Sequence, residues 1–110
     1  MTGAIVVLVT APTAERAAEI ARALVEARLA ACGNVVAGIR SIYRWEGKVQ
    51  DDQEALLVLK TTRARFEALR ERVLALHPYE VPEVIALPVE AGGAPYPPWV
   101  EAQTGGPVAG

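Results

Sequence analysis

Residues 34–62, NVVAGIRSIYRWEGKVQDDQEALLVLKTT, alternate apolar and polar side chains on both sides of Gly47 and close on the apolar run Ala55 to Leu59. Alternation with a period of two about a glycine turn is the pattern of a β-hairpin. Its arms, about eleven and thirteen residues long, exceed the roughly five or six residues of an ordinary strand. At about 3.4 Å per residue, such a hairpin outreaches the core that 110 residues can build, and its tip is expected to project. The tip carries Tyr43, Trp45 and Val49. Aromatic and apolar side chains on a projecting arm call for cover by a neighbouring subunit. The plainer alternative folds Trp45 back over its own sheet.

The rest of the chain is organised around this hairpin. Residues 4–10, AIVVLVT, form an uncharged β-branched run, the pattern of a strand buried on both faces. Thr13 is the expected N-cap of an amphipathic helix over residues 14–30, with Glu15 in its first turn and Ala17, Ile20, Ala21, Leu24 and Ala31 at helical spacing. That helix is expected to end near Gly33. Thr61 and Thr62 are N-cap candidates for a second helix carrying Phe66, Leu69, Val73 and Leu76 on one face. It must stop before Pro78, which lacks an N–H and restricts the residue before it. His77, the sole histidine, is therefore helix-terminal. A fourth strand is expected over 84–90. After Gly92 and Gly93, PYPPWVEAQ reads as a short helical or extended cover packed through Tyr96, Trp99 and Val100, and residues 104–110 read as a frayed tail.

The order β-α-β-β-α-β, with the hairpin in the middle, predicts an α+β fold of the ferredoxin-like split β-α-β type, one domain over residues 1–110, with both helices on one sheet face. The other face then needs a cover, and self-association is the simplest one. Composition narrows the function. At 52% hydrophobic and 22% charged residues the chain can bury a core. Its net charge of −2 and its scattered Lys and Arg residues argue against a nucleic-acid partner. The N-terminal apolar run is too short for a membrane span or signal peptide. A lone cysteine, Cys32, excludes an internal disulfide and fits a reducing, cytoplasmic setting, where its small apolar neighbours predict a buried packing thiol. Two lysines against many arginines, a single asparagine and a wealth of proline resemble thermophile composition.

"LAACGNVV", "SIYRWEGKV", "ALLVLKT", "HPYEVPEVIALPVEAG" and the closing "PYPPWV", in this order and spacing, resemble the CutA1 family of divalent-cation tolerance proteins over residues 5–103. The resemblance implies a ferredoxin-like subunit in a very stable cytoplasmic homotrimer, with hairpins wrapping neighbouring subunits and a role in copper or general divalent-metal tolerance. It also implies ligands at a first-strand cysteine and a doubled histidine, but the matching positions are Val9 and Leu76, and only His77 remains.

From the residues themselves, His77 is a competent ligand for Cu2+ or another divalent cation, with Glu80 across a proline-fixed turn and Tyr79 and Glu83 nearby. One imidazole with carboxylates makes a weak, open site completed by water. The competing reading has His77 serve only as a helix C-terminal residue. No nucleophile stands near a base and no phosphate loop is present, so the chain is read as a non-enzyme that requires no cofactor. Asp51 and Asp52 are read as a solvated strand edge. A second functional reading is a trimer resembling the PII signalling proteins, in which Arg40, Arg44, Lys48 and Lys60 would meet a small anionic ligand between subunits. A third is a scaffold that presents Trp45 and Tyr43 to protein partners.

Overall fold

The computed structural model describes residues 3–105. Four strands, β1 (Ala4–Ala11), β2 (Cys32–Trp45), β3 (Lys48–Thr62) and β4 (Val84–Pro88), form one antiparallel sheet in the order β2-β3-β1-β4. Three helices accompany it: α1 (Ala14–Glu26), α2 (Phe66–Leu76) and α3 (Tyr96–Gln103). The alternation along β1 and β3 decides where the core lies. Ile5, Val7, Val9, Leu57 and Leu59 are buried under α1 and α2 with Ile20, Leu24, Leu69 and Val73. Each such leucine or valine contributes roughly 1.5–3 kcal/mol by leaving water.

Helix α1 starts as its sequence dictates, with the Arg16 N–H donating to Thr13 Oγ1 at 3.1 Å. It ends at Glu26, earlier than residue 30. Arg28 adopts a left-handed φ of 59°, and the Leu29 N–H returns to Leu24 O at 2.9 Å. This reversal tucks Leu29 and Ala30 against the core, and Ala31 goes to a second cluster with Ala4 and Val100. Thr61 and Thr62 end β3 and neither caps α2: the Thr61 hydroxyl donates to Leu29 O at 2.7 Å, and Thr62 stands at the N-cap position of a 3-10 turn over Arg63–Arg65, without a side-chain bond to it, that leads into α2. Strand β4 stops at Pro88, short of residue 90.

Helix α3 carries its prolines in the first turn, where the missing N–H groups have no helical partner to lose. Ala4 shares its sheet face with Val6 and Leu8 by strand alternation, so α3, packed on Ala4 through Val100, covers one end of the second face. Thr104 does not belong to a frayed tail. It is buried, its hydroxyl donates to Val100 O at 2.9 Å, and its carbonyl accepts from Arg65 Nε at 2.7 Å. Residues 106–110 of the expected tail lie outside the described residues.

The hairpin runs beyond the end of β1, and the molecule measures 45 Å along its longest axis against 26 and 22 Å. Glu46 and Gly47 at the tip both have positive φ, 51° and 76°, the condition for a tight two-residue turn. A bulge between Val36 and Ile39, with Gly38 at φ 74°, shifts the pairing of β2 on β3. Val36 pairs with Leu56 and Ile39 with Glu54. The shift keeps Ile39, Ser41, Tyr43 and Trp45 on the sheet face of Glu54 and Leu56. Without it, these residues would point the other way.

Candidate functional site

The site grows from the end of α2. Pro78 biases His77 towards extended backbone, and His77 takes φ −83°, ψ 138° while its own N–H closes the helix on Val73 O at 2.8 Å. The residue is 8% exposed, and its ring reaches β1, with Nε2 2.6 Å from Thr10 O. The Tyr79 N–H donates to Nδ1 at 3.2 Å, so the proton sits on Nε2 and is donated to Thr10 O. Tyr79 stacks at a tilt on His77, centroids 4.6 Å apart, and its hydroxyl donates to Glu54 Oε2 on β3. Burial first, then Glu54, pushes the Tyr79 phenol well above its ordinary range. Histidine and tyrosine thus fasten the turn after α2 to two strands.

Between this turn and the overhanging hairpin lies a cleft of about 700 Å³. Tyr43, Trp45 and Tyr79 line it with Glu54, Glu80 and Glu83. The Tyr43 hydroxyl donates to Asp52 Oδ2 at 2.6 Å, and this bond raises its pKa.

The structure treats the expected site residues differently. His77 and Glu80 share one turn, but the His77 ring is buried with both nitrogens bonded, while Glu80 is exposed on the cleft wall. Among the described residues no three His, Cys, Asp or Glu side chains gather as a metal cluster. Arg40, Arg44, Lys48 and Lys60 do not converge within one chain. Arg40 forms a bidentate pair with Asp51 at 2.7 and 2.8 Å, Arg44 reaches Gly47 O, and Lys60 bonds Asn34. Lys48 and Lys60 sit at opposite ends of β3, roughly 40 Å apart at the usual strand rise. Tyr43, Trp45 and Val49 are 43%, 37% and 65% exposed.

Asp51 and Asp52 are exposed but engaged, and the Arg40 guanidinium holds the Asp51 carboxyl below its usual range. The Cys32 thiol is only half-buried and pairs with the Tyr96 hydroxyl at 3.1 Å. Thr10 and Glu54, which hold His77 and Tyr79, are the residues of this candidate site that sequence reasoning passed over. Their signal was positional: a polar residue near the end of an apolar strand, and an acid just before the apolar run of β3.

Comparison with known proteins agrees with this architecture. The family model described as "CutA1 divalent ion tolerance protein" matches residues 5–103. The "Divalent-cation tolerance protein CutA" of Thermus thermophilus is 57% identical over 100 residues, 91% of this chain and 97% of its own length. The human "Protein CutA" is 53% identical over 96 residues, 87% of this chain, which spans only 54% of that longer relative. Among solved structures, CutA from Xylella fastidiosa superposes with a TM-score of 0.91 at 38% identity, over 94% of this chain and 99% of the other. On sequence and structure together, the chain belongs to the CutA1 divalent ion tolerance family.

Proposed function

We propose that this chain is one ferredoxin-like domain of a cytoplasmic, non-enzymatic homotrimer that acts in divalent-cation tolerance and holds copper or a similar ion weakly through His77 and Glu80. Family membership supports the cation. The observation that carries the site is the orientation of His77. Histidines that bind metals donate their second ring N–H to a carbonyl or carboxylate, which fixes the tautomer and leaves the other nitrogen as ligand. Here Nε2–H donates to Thr10 O, and Nδ1 is held only by the 3.2 Å bond from the Tyr79 N–H. Exchange of that bond for an ion supplies one imidazole nitrogen, and Glu80 supplies a carboxylate. Val9 is a core residue under the helices and Leu76 is apolar, so neither adds a ligand. The donor set fits a weak site whose remaining positions are filled by water.

The trimer is supported by what one chain leaves uncovered. Ile85 and Leu87 on the second sheet face are each 49% exposed beside Val6 and Leu8, both outer strands are free along their edges, and the hairpin extends Tyr43, Trp45 and Val49 outward. Three copies is the number that the family resemblance implies. A PII-like anion site lacks an observation in its favour, since Lys60 lies at the opposite end of β3 from Lys48 and Arg40 is paired with Asp51. Calorimetric titration of Cu2+ into the wild type and His77→Gln tests the site. Glutamine keeps a donor near the Nε2 position but has no counterpart of Nδ1. Saturable binding to the wild type, weakened at least about tenfold in the variant at unchanged light-scattering mass, is expected. Equal binding by both would remove His77 from the site.

A further inference from the structure

Copper has two common oxidation states, and the donors around His77 suit only one of them. His77 is the sole histidine, Cys32 the only cysteine and Met1 the only methionine, and Met1 lies outside the described residues. Cys32 stands on β2 level with Lys60 and Val6, whereas the His77 ring meets β1 at Thr10, so the thiol lies about 13 Å further along the sheet and two strands away. It is also engaged, 3.1 Å from the Tyr96 hydroxyl. The cation site read at His77 therefore offers one imidazole nitrogen, the Glu80 carboxylate and water, without sulfur from its own chain. Thiolate and thioether sulfur are the donors that select Cu+, whereas imidazole and oxygen donors suit divalent ions. The ring also sets a threshold. Its Nδ1 already accepts the Tyr79 N–H at 3.2 Å, so an ion enters only if it binds better than that amide. Cu2+, doubly charged, gains from imidazole, carboxylate and water together. Cu+, singly charged and soft, gains little from the last two.

Resting on the His77 reading, we infer that this site selects the divalent state: it holds Cu2+ and releases copper once a one-electron reductant such as ascorbate converts it to Cu+. Ascorbate passes one electron to the ion and one proton to solvent, the bonds from copper to Nδ1 and to the Glu80 carboxylate break, and Nδ1 takes back the Tyr79 N–H. No protein atom changes oxidation state. In a reducing setting the site is left to divalent ions that keep their charge, such as Zn2+, which has no redox chemistry.

Equilibrium dialysis of the assembled protein under argon, in a chloride buffer that keeps Cu+ in solution, tests this with and without ascorbate. The wild type should bind copper without ascorbate and, with it, fall to the level that His77→Gln retains. Zn2+ bound by the wild type should be unmoved by ascorbate. Copper that stays on the wild type after reduction overturns the inference, and Cys32→Ala dialysed alongside tells how. Loss from that variant would mean that the thiol of another copy completes the site, and retention that one imidazole is enough for Cu+. Zn2+ lost together with copper overturns it too, because release would then not depend on oxidation state. Absence of Cu2+ binding before reduction removes the His77 reading and this inference with it, whereas copper retained after reduction removes the inference alone.

Discussion

At the scale of single residues, hydrogen bonds formed between distant parts of the chain set the chemistry. His77 is a donor to Thr10, 67 residues away, and that bond leaves Nδ1 as the ring's acceptor, which takes the Tyr79 N–H. Cys32 meets Tyr96 across 64 residues, and the hydrogen bond between the Tyr96 hydroxyl and the Cys32 sulfur, with burial second, pushes the Tyr96 phenol up to about 12. A phenol pKa raised above its unfolded value stabilises the fold fully below about pH 10. That contribution fades as pH climbs through the folded value near 12. Cys32→Ala should therefore bring the Tyr96 titration down towards 10 and flatten the loss of stability between about pH 10 and the folded value near 12. Tyrosinate absorbance compared between wild type and variant reads this directly, and an unchanged titration would refute the pairing. The sequence showed Cys32 among small apolar neighbours and so predicted a packing thiol. Tyr96 as its partner was invisible because only the docking of α3 brings the two together. Likewise, that His77 ends a helix could be read from Pro78, but which carbonyl its ring would meet could not.

At the scale of elements, the strongest periodic signals were legible, and the points where the chain reverses were not. Gly47 marked the hairpin turn, and Thr13 marked the start of α1. Helix α1 stops early because burying Leu29 and Ala30 outweighs continued helical pairing, a tertiary effect without a local residue to announce it. Thr61 carries a good capping side chain, yet register with Ile5 keeps it in β3. The bulge in β2 matters most for function, since it determines the face that Tyr43 and Trp45 occupy, and the alternation read from the sequence gave no warning of it. Gly38 supplies the positive φ, and a methyl group added there would meet nothing within 4 Å. Gly38→Ala should accordingly lose about 1 kcal/mol through backbone strain alone. Denaturant unfolding measures this loss, and no change in midpoint would show that the bulge does not need the left-handed conformation.

At the scale of the whole molecule, the first strand already carried the central fact. AIVVLVT has no polar face, and within one chain Ile5, Val7 and Val9 are buried while Val6, Leu8 and Thr10 are only partly covered. An apolar second face with two open edges is incompatible with an isolated soluble subunit of this size. Light scattering is expected to give three times the chain mass of 11.7 kDa. Leu87→Asp, which places a charge on that face, should lower the mass towards one chain while far-ultraviolet circular dichroism keeps its helical signal. A monomeric wild type would leave the apolar face unexplained.

The claim that the turn after α2 receives the cation is tested most directly by the nuclear magnetic resonance spectrum of the assembled, isotope-labelled protein with substoichiometric Cu2+. Paramagnetic broadening should appear first at the amides of Tyr79, Glu80 and Thr10 and be lost in His77→Gln. Broadening that begins at the Asp51 and Asp52 strand, or spreads evenly over the surface, would contradict it.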